Sequence, residues 1–275
     1  MDKESFFISQ FQNDFIGDDG AVAGKWVYSK DFFCEDAHFK REWLDLYQIA
    51  QKAMLVNISD AVAMNAKPKY ALLAVGVPKN FSLKHITQLS KGFIETARKY
   101  DIKIIGGDTI SSEKINISVT IISKKRKHTL YRSGLKKGDI LAYTGILGES
   151  GHELENLLRG GKISSDSHFA KPVLRVDFIK KAAKYLRCGL DISDGLSKDL
   201  SRLCALNNLG VKFDKKIDKN ILCSGEEYEM LIAFAPKNTD KILRIAEKTE
   251  TPLTIFGRAC EGEYMSECRE HHFEG

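Results

Sequence analysis

Short apolar runs of strand length alternate with segments of helical periodicity along the whole chain, and this irregular mixture constrains the fold more than any other feature. Ile115, Ile117, Val119 and Ile121 alternate strictly, as in a half-buried strand. Residues 26–33 and 71–77 are also strand-like, the second stopped by Pro78, and 102–105 reads as a buried strand ending at Gly106-Gly107. From Leu46 the apolar positions Ile49, Ala50, Ala53 and Met54 recur at helical spacing through Ala63. Ser82 offers an N-cap for a helix with Leu83, Ile86, Leu89, Phe93 and Ala97 on one face. A second set follows Gly134 and Gly138: a strand at 140–144, a helix after Gly148-Glu149-Ser150, another at about 173–186, and a third at 196–206 closed by Asn207, Asn208 and Gly210. Strands and helices mixed in both halves predict an α/β (α+β) chain rather than a bundle. The 275 residues suit two domains, 1–136 and 137–275.

Several function classes drop out on composition. A charged fraction of 29% with both signs interspersed excludes a disordered tail or a fibrous protein. No stretch approaches the roughly 20 apolar residues of a spanning helix. The start, Met1-Asp2-Lys3-Glu4-Ser5, lacks a secretory pattern, so a cytoplasmic protein is expected, with no membrane partner. The net charge of +5 is spread along the chain, and its one dense run, Lys124-Lys125-Arg126-Lys127, reads as a solvated hairpin tip rather than a nucleic-acid patch. The six cysteines form no C-x-x-C pair and are expected to be reduced.

The chemistry is carried by Asp residues set beside Gly or Ser at the ends of apolar segments. They are Asp18-Asp19, Asp31, Asp60, Asp108, and Asp191 with Asp194. One such Asp is an ordinary turn former or N-cap. Six positions are harder to explain that way, because carboxylates gathered in space repel unless a cation neutralises them. All-oxygen ligands favour a hard ion, Mg²⁺ first, and so suggest metal-assisted phosphate chemistry. The usual nucleotide loops are absent, since Gly160-Gly161-Lys162 lacks the spacing and the Ser/Thr of a P-loop. The segment from Gly145 to Gly151 suits either a backbone cradle for phosphate or a plain strand-to-helix turn.

Taken in order, the motifs form a series. It runs Ile16-Gly17-Asp18-Asp19, Asp31 with His38-Phe39, Asn57-Ile58-Ser59-Asp60-Ala61, Gly106-Gly107-Asp108-Thr109, Arg132-Ser133-Gly134 with Gly138-Asp139, Asp191-Ile192-Ser193-Asp194-Gly195-Leu196, and Ser224-Gly225-Glu226-Glu227-Tyr228-Glu229. This series resembles the thiamine-monophosphate kinases, a family of the aminoimidazole-ribonucleotide synthetase superfamily, over residues 16 to about 260.

The resemblance implies a two-domain aminoimidazole-ribonucleotide synthetase-like fold whose N-terminal sheet forms a homodimer interface. It implies transfer of the ATP γ-phosphoryl group to thiamine monophosphate with several Mg²⁺ ions. It makes Asp19, Ser29, Lys30, Asp31, Asp60, Asp108, Asp191 and Asp194 metal ligands, and gives ATP to Asp108, Arg132 and Ser193. His38, Asp60, Glu226 and, in the tail, Phe273 would meet thiamine monophosphate. No general base is implied, because the acceptor is an ionised phosphate oxygen. Lys30 stands where the family usually has Thr, which admits a backbone carbonyl on the metal or an ammonium in place of one cation. The rivals are a selenophosphate synthetase, disfavoured because no Cys precedes Cys34, a hydrogenase-maturation enzyme, disfavoured by the ending Phe273-Glu274-Gly275, and a non-catalytic nucleotide-binding module.

Overall fold

The computed structural model describes residues 3–11 and 13–268. The first half contains α1 (Lys3–Ser9), β1 (Ala21–Ala23), β2 (Trp26–Cys34), α2 (Leu46–Ala63), β3 (Lys67–Pro78), α3 (Leu83–Lys99), β4 (Lys103–Ser112) and β5 (Asn116–Lys124). Its sheet has the order β1-β2-β5-β3-β4, antiparallel except for the β3–β4 pair. That pair is parallel because α3 carries the chain back between the two strands. The second half contains β6 (Ile140–Thr144), α4 (Glu149–Leu158), α5 (Val176–Ala182), β7 (Cys188–Ile192), α6 (Leu196–Asn207), β8 (Gly210–Phe213), α7 (Lys219–Cys223), β9 (Glu229–Phe234), α8 (Thr239–Lys248) and β10 (Leu253–Cys260). Its sheet is wholly antiparallel, in the order β7-β9-β6-β10-β8. Among the described residues no helix is long and apolar enough to cross a membrane.

Helix α2 joins the two halves. Asp45 caps it in a reciprocal pair with Gln48, and most of its side chains are buried. One contiguous apolar core runs from Phe33, Ile117 and Val119 of the first sheet, through Ile49, Ala53 and Met54 of α2, to Met230, Ile232 and Phe234 of β9. Each fully buried aliphatic or phenyl side chain in it contributes about 1.5–3 kcal/mol. A second cluster, including Leu190, Leu200, Leu203 and Phe256, seats α6 on the second sheet.

One buried ion pair fixes β6 against β9. The Glu229 carboxylate has no exposure, receives Arg175 Nε at 2.8 Å and the Thr144 hydroxyl at 2.6 Å, and so keeps its charge compensated. Gly145 lies against it with φ +71°, and a Cβ there would meet Glu229 Oε1 at 1.9 Å. The glycine is therefore required by close approach as well as by backbone conformation.

Several sequence expectations need correction. The strand expected to stop at Gly106-Gly107 runs on to Ser112, because Ile105 is taken up as an extra residue opposite Ala71-Leu72 and the glycines continue the pairing with Leu72 and Leu73. Gly107, at φ +149°, leaves no room for a Cβ beside the Leu73 carbonyl. Nor is β4 buried: it is an edge strand, with Ile104, Ile105 and Ile110 exposed. The basic run around Lys125 is solvated, but it belongs to the connection from β5 into the second half rather than to a hairpin. The helix expected at about 173–186 is shorter, with α5 running only from Val176 to Ala182. Cys223 and Cys268 are joined in a disulfide, Cα to Cα 5.4 Å, where reduced thiols were expected. Their separation of 45 residues leaves no local spacing signal, and only folding brings α7 beside the tail.

Candidate active site

The acidic motifs converge where the end of α2 meets β2 and the β7–α6 junction. Asp60 lies in the last turns of α2, Asp31 on β2, Asp191 near the end of β7, and Asp19 in the segment before β1. One oxygen from each of Asp19, Asp60 and Asp191 lies within 4.8 Å of the others. They border a cleft of about 450 Å³ that also contains Asp31, Asp194, Arg132, Ser193, His38 and Glu226. Its apolar wall includes Phe32, Phe33, Val56 and Tyr228.

Secondary structure explains the convergence. Asn57 holds β2 against α2: its Oδ1 accepts the Asp31 N–H at 2.7 Å, and its carbonyl accepts the Ser29 hydroxyl at 3.2 Å. Ser59, one residue before Asp60, donates to Asp191 Oδ2 at 2.5 Å and thereby ties α2 to β7. Arg132 spans the opening, with its N–H on Asp18 Oδ1 at 2.7 Å and its Nε on Asp19 Oδ1 at 3.0 Å.

Electrostatics sets this cluster apart from solvated carboxylates. Burial, opposed by Arg132 and reinforced by Asp191, pushes Asp19 up to about 7 from 3.8. Burial, with Asp19 and Glu226 nearby, raises Asp31 to about 6. Asp60 is raised well above its ordinary value by burial and then by Asp31 and Asp191. Asp191 reaches about 7, again mainly through burial. Such a set is unfavourable to ionise without added positive charge. Asp19 Oδ2 is buried with no hydrogen-bond partner, as expected of an atom whose partner is not a protein group. The donors are all oxygen, so the residues fit a hard divalent cation such as Mg²⁺.

Other residues singled out from the sequence fall into distinct places. Asp194 pairs with Arg202 at 2.5 Å and lies 3.8 Å from Lys198. His38 lies in the turn after β2, where its Nδ1 accepts the Cys34 N–H at 3.1 Å, leaving Nε2 to carry the proton of the neutral ring. The Ser29 hydroxyl points into the α2 contact, not the cleft. The Lys30 ammonium lies on the outer face of the first sheet, 2.6 Å from the Ser118 hydroxyl. Asp108 is on edge strand β4, exposed, in register with Ala74, and outside the Asp19–Asp60–Asp191 group. Phe273 lies outside the described residues. The segment from Gly145 to Gly151 is no open cradle, since the Gly148 N–H goes to Glu227 Oε1 and the Gly151 N–H to the Ser224 hydroxyl, both at 2.8 Å.

Sequence reasoning missed three contributors. Asp199 accepts the N–H groups of Ser193 and Asp194 at 3.1 Å each, so it shapes the loop that presents both. Its place in the first turn of α6 made it look like an ordinary helix-start acid. Arg202, one turn on, is the cation for both Asp194 and Asp199. Lys52, buried within α2, reaches Glu226. A single lysine among the apolar positions of that helix was the available signal.

Comparison with known proteins agrees with this geometry. The sequence model for AIR synthase related protein, N-terminal domain, matches residues 17–124, and that for the C-terminal domain matches residues 136–267. A thiamine-monophosphate kinase of Leptospira interrogans is 34% identical over 255 residues, covering 84% of this chain and 80% of that relative. One from Aquifex aeolicus is 28% identical, covering 90% of this chain and 87% of that relative. Among solved structures, AaThiL complexed with AMPPCP and TMP superposes with a TM-score of 0.82 at 25% identity, over 95% of this chain and 91% of that one.

Proposed function

From its membership of the AIR synthase related family, to which the chain belongs as a relative of the thiamine-monophosphate kinases, we infer that it transfers the γ-phosphoryl group of ATP to thiamine monophosphate, giving thiamine diphosphate and ADP. The observation that carries this reading is the Asp19–Asp60–Asp191 cluster in a cleft flanked by Arg132 and Glu226, within a fold matched by a kinase holding an ATP analogue and TMP.

The residues divide the task by charge. The acceptor is an ionised phosphate oxygen, so no side chain has to remove a proton, and repulsion between two polyanions is the main obstacle. Asp19, Asp60 and Asp191, joined by Asp31 and Asp194, are the candidates to hold Mg²⁺, whose charge would offset that repulsion. Ser29 turns its hydroxyl into the α2 contact, so its part is through the β2 backbone, whereas Lys30 borders the cleft with its ammonium on the Ser118 hydroxyl. Of the residues lining the cleft, Arg132 and Ser193 are the ones we assign to ATP, and the planar guanidinium suits phosphate oxygens. His38, Glu226, Phe33 and Tyr228 of the same lining are the ones we assign to thiamine monophosphate.

We assign ATP and metal binding to residues 1–136 and completion of the site to 137–275, and we place the reaction in the cytoplasm. A homodimer through the first sheet supplies a role for Asp108. The outer face of that sheet carries Phe32, Ser118, Ala74 and Asp108 in one register row, with exposed Leu72 and Ile110 beside it. A second copy covering this face would bury the apolar side chains and bring Asp108 to a shared site. Sedimentation equilibrium should then give twice 30.9 kDa, and a monomer at micromolar concentration would refute it.

Phosphorus NMR of a mixture with ATP, Mg²⁺ and thiamine monophosphate tests the reaction itself. Thiamine diphosphate and ADP should form in equal amounts. ADP formed without thiamine diphosphate would refute the acceptor.

A further inference from the structure

Among the described residues, Lys52 is the only lysine or arginine whose side chain is fully buried. It stands in the middle of α2, between Gln51 and Ala53, one turn after apolar Ile49 and one turn before Val56. Its Nζ lies 2.5 Å from Glu226 Oε2 and 3.4 Å from the centre of the Phe169 ring, with Phe33 on another side at 5.9 Å. Burying an ammonium is costly unless it is paired, and the two aromatic faces compensate only part of that loss. The burial becomes intelligible through the carboxylate it meets.

Glu226 is itself held in an unusual way. Its backbone lies in the left-handed region at φ +60°, and Tyr228 follows at φ +52°, so two residues with side chains occupy conformations that favour glycine. Such strain persists where surrounding contacts over-determine it, and it gathers at functional sites. Here the Glu226 N–H bonds to the Ser193 carbonyl at 2.7 Å and the Tyr228 N–H to the Ile192 carbonyl at 2.8 Å. The loop is thereby stitched to the end of β7 that carries Asp191. The Tyr228 hydroxyl donates to Glu226 Oε1 at 3.3 Å, while Lys52 takes Oε2. The carboxylate is gripped from both sides while it borders the cleft.

We propose that Lys52 is a positioning residue: it fixes the Glu226 carboxylate where it borders the cleft to meet thiamine monophosphate, and acts on the substrate only through that carboxylate. The proposal rests on the function inferred above. It assigns a task to a residue that lines no part of the cleft. Burial lowers the Lys52 pKa, and the Glu226 carboxylate opposes that shift.

Steady-state kinetics on wild type, Lys52→Met, Glu226→Gln and the double variant, with thermal melts of each, test the pairing. Met replaces the aliphatic stem without burying a charge. Lys52→Met should raise the KM for thiamine monophosphate by at least about tenfold and leave the KM for ATP within about twofold. The double variant should be no worse than Glu226→Gln alone, because Lys52 acts only through Glu226. An unmoved KM for thiamine monophosphate, an equal rise for ATP, or effects that multiply in the double variant would overturn the proposal. Should Lys52→Met fail to fold, the double variant decides: it leaves no unpaired charge, so the proposal requires it to fold, and its failure would show that Lys52 serves the core independently. A wild-type enzyme that makes no thiamine diphosphate would instead overturn the functional reading, and the inference with it.

Discussion

Asp60→Asn is expected to reduce turnover by on the order of 10³-fold while making the metal-free protein more stable at neutral and alkaline pH. The first effect follows from the position of Asp60 in the three-carboxylate group. A metal ligand that helps neutralise charge in phosphoryl transfer supplies several kcal/mol, and about 4 kcal/mol corresponds to that factor. The second follows from the direction of its shift. In the folded protein Asp60 sits well above the value of 3.8 that it has when unfolded, because of burial and then Asp31 and Asp191. Between those values the unfolded chain ionises Asp60 while the folded one keeps the proton. Stability therefore falls as pH rises through this window, and it is fully present only below the unfolded value. Asn carries no such penalty. Thermal melts without metal should show the variant matching wild type near pH 4 and exceeding it at pH 8. Mg²⁺ should then raise the melting temperature of wild type more than that of the variant. A variant that keeps its activity, or is less stable at pH 8 without metal, contradicts the assignment.

Arg132→Ala is expected to raise the KM for ATP by about 10- to 100-fold, with a smaller change in the KM for thiamine monophosphate. The Arg132 guanidinium is the cation on Asp19, and although burial opposes its charge, the nearby carboxylates of Asp19, Asp191 and Asp199 favour it. Its loss removes from the cleft a fork of donors assigned to ATP and leaves Asp19, already raised to about 7, with less compensation. Arg132→Lys should recover little, because a single ammonium cannot hold Asp19 and meet phosphate in the same planar geometry. Initial rates at varied ATP check both variants. An unchanged KM for ATP in Arg132→Ala would remove the residue from the phosphate site.

The sequence made local elements legible and left their neighbours hidden. The bounds of α2 and the Ser82 cap agree with expectation because periodicity and capping are decided within one helix. Residues 102–105 could not be told from a buried strand, since an edge strand has the same composition as a central one, and only the sheet order exposes it. The acidic motifs could be found one by one, but which of them meet depends on topology. Asp19, Asp60 and Asp191 lie within reach of one another, while Asp108 lies on the far edge strand, with β5 and β3 between it and β2. Asp199 and Arg202 were hidden by resembling ordinary helix-surface charges. Lys52 was hidden by burial, a property that a lone lysine in a sequence does not display.

The central claim is that the carboxylates of this cleft act in phosphoryl transfer through a divalent cation. The most direct measurement is the initial rate of thiamine diphosphate formation by chelator-stripped enzyme at fixed ATP and thiamine monophosphate, as Mg²⁺ is added back from zero. The account predicts no product without metal, and a rate that keeps rising beyond the Mg²⁺ needed to complex the ATP, because the protein's own carboxylates bind further ions. Product at the full rate in the presence of chelator would contradict it.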